Sequence, residues 1–233
     1  MSRDRLRIAT YNLQKCVGLD LRRRPDRSLA VLGATGAQIA VLQEADKRLP
    51  PRPAALPHAM AEAEGWQVAD LGEPGGSLGW HGNAILLRDG IEVVETGHID
   101  LPGLEPRGAV WVLARTPIGV VRVVGTHLGL VRRYRILQLA AIRRALELLP
   151  DAPVIMAGDF NEWGDDAPLQ AQLRDLRLVP AGPNYPAPRP VAALDRFAVG
   201  PGLRADPPVA HVASPARVAS DHLPIWLDVI RNA

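Results

Sequence analysis

The sequence predicts an α/β domain in which a mixed or largely antiparallel sheet system is covered by helices. Three observations carry this. Short apolar segments of strand length recur from Leu6 to Ile230. Several are joined by short turns, as antiparallel neighbours are. One long segment, Arg132 to Leu149, has helical periodicity instead.

Taken in order, Leu6 to Asn12 alternates apolar and polar residues, as a half-buried strand does. A loop with Gly18 and the basic run Arg22-Arg23-Arg24 follows, and Asp26 is placed to cap a helix through Leu32. Ile39 to Leu42 reads as a short buried strand running out into Gln43-Glu44. Pro50 to Pro57 is a proline-rich loop, with a short helix carrying the chain to Gly65 and a strand over 66–71. Beyond the glycine-rich stretch from Gly72 to Gly82, the segments 83–87 and 91–94 look like a hairpin turning at Asp89-Gly90. Strands are expected over 109–114 and 119–126, the second ending at His127. In the helix that follows, Ile136, Leu139, Ala140, Leu146 and Leu149 form an apolar face, with Arg132, Arg133, Arg143 and Arg144 polar, and Pro150 stops it. Val154 to Gly158 is a buried strand and 167–174 a helix. Five prolines make Pro180 to Pro190 a rigid loop poor in donors. The strands at Asp195 to Val199 and Pro224 to Ile230 complete the pattern.

The chain's 233 residues suffice for one core, and residues 1–233 read as a single domain. No apolar run approaches the ~18 residues of a membrane span, and the start at Met1 lacks the apolar stretch of a signal peptide, so the expected location is cytoplasmic. Cys16 is the only cysteine, which excludes an internal disulfide and a cysteine-based zinc site; it reads as a packing residue. A net charge of +2 does not by itself argue for nucleic acid.

The polar residues that punctuate these strands form a set. Asn12, Glu44, His127 and Asp159 end strands, with Asn161 just beyond. Asp195 begins one, and Asp221-His222 stands ahead of another. Strands running one way end where antiparallel neighbours start, so all these groups can gather on one rim. Several carboxylates brought together need a cation, and oxygen ligands suit Mg²⁺ or Mn²⁺ rather than zinc. Two histidines add proton donors or phosphate contacts near neutral pH. Together these fit metal-assisted hydrolysis of a phosphate ester.

The ordered motifs Tyr11-Asn12, Gln43-Glu44, Gly82-Asn83, Thr126-His127-Leu128, Gly158-Asp159-Phe160-Asn161, Leu194-Asp195 and Ser220-Asp221-His222-Leu223-Pro224 resemble the endonuclease/exonuclease/phosphatase superfamily, which includes the DNase I-like nucleases. The resemblance covers about residues 6 to 230. It implies a four-layer α/β sandwich, two packed sheets with helices outside. It further implies Glu44 as principal metal ligand, helped by Asn12, with Asp221 binding a second metal or tuning the first. Asp159 would activate the attacking water, Asn161 position it, and His222 bind a non-bridging oxygen while Asp195 holds the imidazole. His127 would be the acid for the leaving oxygen.

The motifs differ from those of abasic-site nucleases, which carry Asn-Gly after the first motif and a lysine shortly after Gln-Glu, where this chain has Asn12-Leu13 and Glu44-Ala45-Asp46. His127-Leu128-Gly129-Leu130, with Arg135 and Gln138, is closer to a bacterial branch of unassigned substrate. Arg107 is a candidate phosphate clamp, and His81 and Asn83 are candidates for a substrate loop. The leading expectation is a Mg²⁺-dependent phosphodiesterase or phosphatase acting on a small or lipid-linked phosphate. A sequence-tolerant nuclease using the basic helix, and a non-catalytic module with the same fold, are the alternatives. Peripheral membrane contact through the proline-rich loop with Leu78 and Trp80 stays open, and no obligate protein partner is evident.

Overall fold

The computed structural model describes residues 5–47, 53–71 and 76–232. The expected Pro50–Pro57 loop and the start of the Gly72–Gly82 stretch therefore lie partly outside the described residues. In chain order the first half contains β1 (Leu6–Asn12), α1 (Pro25–Ala34), β2 (Ile39–Gln43), α2 (His58–Ala63), β3 (Trp66–Val68), β4 (Ala84–Arg88), β5 (Glu92–Leu101) and β6 (Arg107–Thr116). The second contains β7 (Gly119–His127), α3 (Arg132–Glu147), β8 (Val154–Asp159), α4 (Ala167–Leu173), β9 (Arg177–Val179), β10 (Asp195–Val199), β11 (Leu203–Ala205), β12 (Val209–Ala210), α5 (Ala216–Ala219) and β13 (Ile225–Arg231).

The strands form two mixed sheets. One runs β11-β13-β1-β2-β4-β3, with β12 also on β13; the other runs β5-β6-β7-β8-β10-β9. Alternation explains how they stack. Leu6, Ile8, Ile39 and Val41 face Val110, Val112, Val123 and Ile155 in a core between the sheets, as a period of two requires. The opposite residues, Ala9, Tyr11, Ala40 and Leu42, pack with Leu29 and Leu32 of α1 and Ala61 of α2. On the far side Trp111, Val124 and Met156 meet Leu139 and Ile142 of α3 and Leu169 of α4. The result is helix, sheet, sheet, helix: the four-layer sandwich the motifs implied.

Several local expectations are corrected. The segments around Asp89-Gly90 do not form a hairpin: β4 already has β2 and β3 as neighbours, and the turn passes the chain across the core to β5 in the other sheet. Asp26 does not cap α1; Arg24 is the N-cap, and Asp26 in the first turn accepts from the Arg24 guanidinium at 2.6 Å. The inner face of α3 is Arg135, Gln138, Leu139 and Ile142, so two polar side chains lie where only apolar ones were expected. Short β9, β11, β12 and α5 gave no periodic signal.

Strand direction positions the site. β1 and β2 are parallel, as are β7 and β8. Antiparallel β13 enters beside β1, and β10 beside β8. His127 stands opposite Asp159, and Asp159 opposite Asp195, so three adjacent strands present these groups at one level.

Candidate active site

The ends of both sheets open into a cavity of about 660 Å³. Its lining includes Asn12, Glu44, His81, Arg107, His127, Asp159, Asn161, Asp221 and His222. Of the residues expected at the site, Asp195 and Asn83 do not line it. Asp195 is fully buried behind His222. Asn83 is buried too, and its side-chain amide donates to the Gly108 carbonyl at 3.0 Å. It ties its loop to the start of β6 rather than lining the cavity.

Asp159 is the hub. Its Oδ1 accepts from the Asn161 backbone N–H at 2.9 Å, while Oδ2 accepts from Asn12 Nδ2 at 3.1 Å. The same Oδ2 lies 3.4 Å from His127 Nε2 and 3.7 Å from His222 Nε2. Gly158 is required beneath it: a Cβ there would sit 1.9 Å from the Thr126 carbonyl oxygen. Burial, then the charge of Asp195, raises the Asp159 pKa. A carboxyl so raised suits a base working near neutrality.

The two histidines differ. Burial alone would lower the His222 pKa, but the charge of Asp195, its 2.7 Å hydrogen bond to Nδ1, and the charges of Asp159 and Asp221 raise it to about 10. His222 is therefore an imidazolium at neutral pH. Burial, then the positive fields of Arg107 and His222, lowers the His127 pKa well below the usual imidazole range. Burial thus works against the charged form that a leaving-group acid would use.

Sequence reasoning missed several supporting groups. Asn184 donates to the Asp195 carbonyl at 3.0 Å and accepts from the Leu194 N–H at 3.1 Å, fixing the start of β10. Ser220 donates to the Asn12 carbonyl at 2.7 Å and accepts from the His222 N–H at 3.2 Å, tying first motif to last. Gln14 accepts from the Asp221 N–H at 3.0 Å. Lys15 forms an ion pair with Glu44. Gln14, Lys15 and Cys16 have φ of 46°, 58° and 57°, and Glu44 has φ of 50°. Such left-handed backbone is unfavourable for side-chain-bearing residues and concentrates at functional sites. Nothing in residue types alone signals it. Cys16 is buried, and burial pushes its thiol up to about 11, as befits a packing residue.

The donor set suits a hard divalent cation. Glu44, Asn12 and Asp221 offer oxygens, and burial, then the Glu44 charge against His222, raises the Asp221 pKa. Two carboxylates thus oppose each other at a point where Lys15 already places positive charge. Among the described residues no three His, Cys, Asp or Glu side chains form a closed metal cage; Mg²⁺ keeps several waters and takes one or two carboxylates.

A family model described as Endonuclease/Exonuclease/phosphatase family matches residues 9–222. The chain belongs to this family. Family members are phosphoester hydrolases that typically use divalent metals. The chain is 35% identical over 161 residues to the uncharacterised protein YbhP of Escherichia coli K12, covering 65% of this chain and 63% of YbhP; it thus matches less than two thirds of that relative's length. Among solved structures, the family member from Beutenbergia cavernae superposes with a TM-score of 0.73 at 23% identity, over 99% of this chain and 72% of that one. A mannosyl-6-phosphatase from Bacteroides thetaiotaomicron superposes with a TM-score of 0.75 at 18% identity, over 97% and 99%. At these identities the structures show the fold shared across the family.

Proposed function

We propose that the chain is a divalent-metal-dependent phosphodiesterase acting on small or lipid-linked phosphates. The single observation that carries this reading is the Asp159 carboxylate, 3.4 Å from His127 and 3.7 Å from His222 on the wall of an open cavity.

Glu44, with Asn12 and Asp221, would hold Mg²⁺ or Mn²⁺, which would supply positive charge to the phosphate. Asp159 takes a proton from water as that oxygen attacks phosphorus in line with the departing oxygen. Asn161 donates through Nδ2 to the Leu128 carbonyl at 2.8 Å, which fixes its remaining amide oxygen for the water. His222 donates from Nε2 to a non-bridging oxygen and meets the charge that develops there. Buried Asp195 orients that ring and keeps it charged. The P–O bond to the departing group breaks, and that oxygen takes its proton from water at the open mouth. Arg107, paired with Glu105 at 2.5 Å at the cavity wall, orients the phosphate from the side.

The basic face of α3 supports a nucleic-acid groove less well. Arg132 is paired with Glu162 and Arg143 with Glu147, so half of its four arginines are already engaged. Leu78 is buried and Trp80 is stacked on His98 at 3.8 Å, so these two do not offer a membrane anchor.

The test is a hydrolysis panel with Mn²⁺ or Mg²⁺ over bis-p-nitrophenyl phosphate, DNA, RNA and glycerophospholipids. Small or lipid phosphodiesters are expected to turn over. Asp159→Asn and His222→Ala should each lower kcat/KM by about 10²–10⁴-fold with unchanged circular dichroism. Near-wild-type turnover in either variant refutes the mechanism, and cleavage confined to nucleic acid makes the protein a nuclease.

A further inference from the structure

Trp163 is 63% exposed and Leu130 66% exposed, yet both line the cavity that holds Asp159 and His222. Scattered exposed apolar side chains are ordinary. These two are held in a way that is not. Glu162, next to Trp163, is only 2% exposed and accepts from Arg132 at 2.6 Å, Arg135 at 2.9 Å and the Gly164 N–H at 3.0 Å. Arg135 is itself buried and also donates to the Leu130 carbonyl at 2.6 Å. Arg196 donates to the Glu162 carbonyl at 3.1 Å. A buried ionic cluster is a costly way to gain stability and serves better to fix geometry. What it fixes here are the backbones that carry Leu130 and Trp163.

The indole is further braced. Its ring meets Tyr185 edge-to-face at 5.6 Å and 86°, and Tyr185 lies 4.7 Å from the His222 ring. One wall therefore leads from solvent, through Trp163 and Tyr185, to the His222 ring proposed to hold the phosphate. Much of the remaining lining is polar, with Lys15, Lys47 and Arg107 set among the carboxylates of Glu44, Asp46 and Glu105.

We propose that Trp163, Tyr185 and Leu130 form the subsite for the organic substituent of the substrate, which is apolar: the substrate is an amphiphilic phosphodiester with its phosphate at His222 and its apolar substituent along this wall. This rests on the phosphodiesterase reading for its chemistry, but not for its binding. Trp163 and Tyr185 act as specificity-determining residues.

The experiment compares methyl, phenyl and octyl p-nitrophenyl phosphates with Mn²⁺, so that the leaving group is constant and only the second substituent varies. Wild type is expected to prefer phenyl, octyl or both over methyl by about tenfold or more in kcat/KM, the range of aromatic and apolar burial. The phenyl and octyl arms separate a ring-bearing substrate from a lipid-like one. Trp163→Ala should bring the ratio to within about threefold of one, and Trp163→Phe should restore most of it. A wild-type ratio near one, or a ratio that survives Trp163→Ala, overturns the proposal. If no ester turns over, the phosphodiesterase reading fails separately. Calorimetry with methyl, phenyl and octyl phosphate then decides the subsite alone, since equal affinities for all three overturn it.

Discussion

Lys15 is where a single residue changes the expectation most. Ala45-Asp46 rather than a lysine directly follows Gln43-Glu44, and the loop after β1 brings Lys15 onto Glu44 in space. Lys15→Met leaves Glu44 without its counter-charge. Such exposed-to-intermediate pairs contribute about 1 kcal/mol or less, so metal-free protein should lose a degree or a few in Tm, while saturating Mn²⁺ should erase most of that loss. A loss of equal size with and without Mn²⁺, read by thermal scanning, would show that Lys15 and the metal do not share Glu44. Glu162 makes the second residue-scale prediction. Burial would raise its pKa, but the hydrogen bonds from Arg132, Gly164 and Arg135 win and lower it to about 2, against an ordinary 4.5. A folded pKa below the unfolded one gives stability that is full above about 4.5 and is lost as pH falls toward 2. The shift amounts to about 3 kcal/mol. Urea unfolding of Glu162→Gln should show a flatter pH dependence across that window; an identical slope would refute the assignment.

Whole elements show what the sequence could disclose and what it could not. Strand ends were legible because apolar runs stopped at Asn12, Gln43-Glu44, His127 and Asp159, and side-chain chemistry marks those stops. The partner of each strand was not legible: 83–87 and 91–94 have hairpin chemistry, and only the existing neighbours of β4 show that the chain must cross sheets. The inner face of α3 was misread because Arg135 and Gln138 are buried for hydrogen bonds to Leu130, Gly129 and Pro102, which periodicity does not see. At β8 the motif's glycine is required for a specific reason. Gly158→Ala would drive a methyl group against the Thr126 carbonyl, displacing β8 from β7 and Asp159 from His127. Activity should fall at least about a hundredfold, in line with the effect of small misplacements of reacting groups. Wild-type kcat/KM in Gly158→Ala would show that strand spacing does not set the site.

The site is divided between the sheets: Asn12, Glu44, Asp221 and His222 come from one, and His127, Asp159, Asn161 and Asp195 from the other. Sheet spacing is set by small contacts such as Gly125, where a Cβ would lie 2.7 Å from Val41 Cγ1 and 3.1 Å from Val110 Cγ2. Gly125→Val should destabilise by about 1–3 kcal/mol through overpacking and lower activity well below what the unfolded fraction explains. Activity tracking only the folded fraction would argue that the sheets can shift without harm. We further propose that 1–233 unfolds as one unit, so that denaturation read by tryptophan fluorescence and by circular dichroism coincides.

The pairing of β1 with β13 joins Leu6 to Val229, so β1 waits for a partner made more than two hundred residues later. During synthesis the ribosome releases the chain from its N-terminus, and Asp221, His222 and β13 leave the exit tunnel after Asn12, Glu44, His127, Asp159 and Asp195. Until then Asn12 has no Ser220 to hold its backbone, and Asp159 has no imidazolium beside it. A nascent chain that has not yet released Asp221 and His222 therefore lacks part of the proposed machinery, and on the proposed mechanism it leaves phosphate esters untouched until β13 has paired with β1.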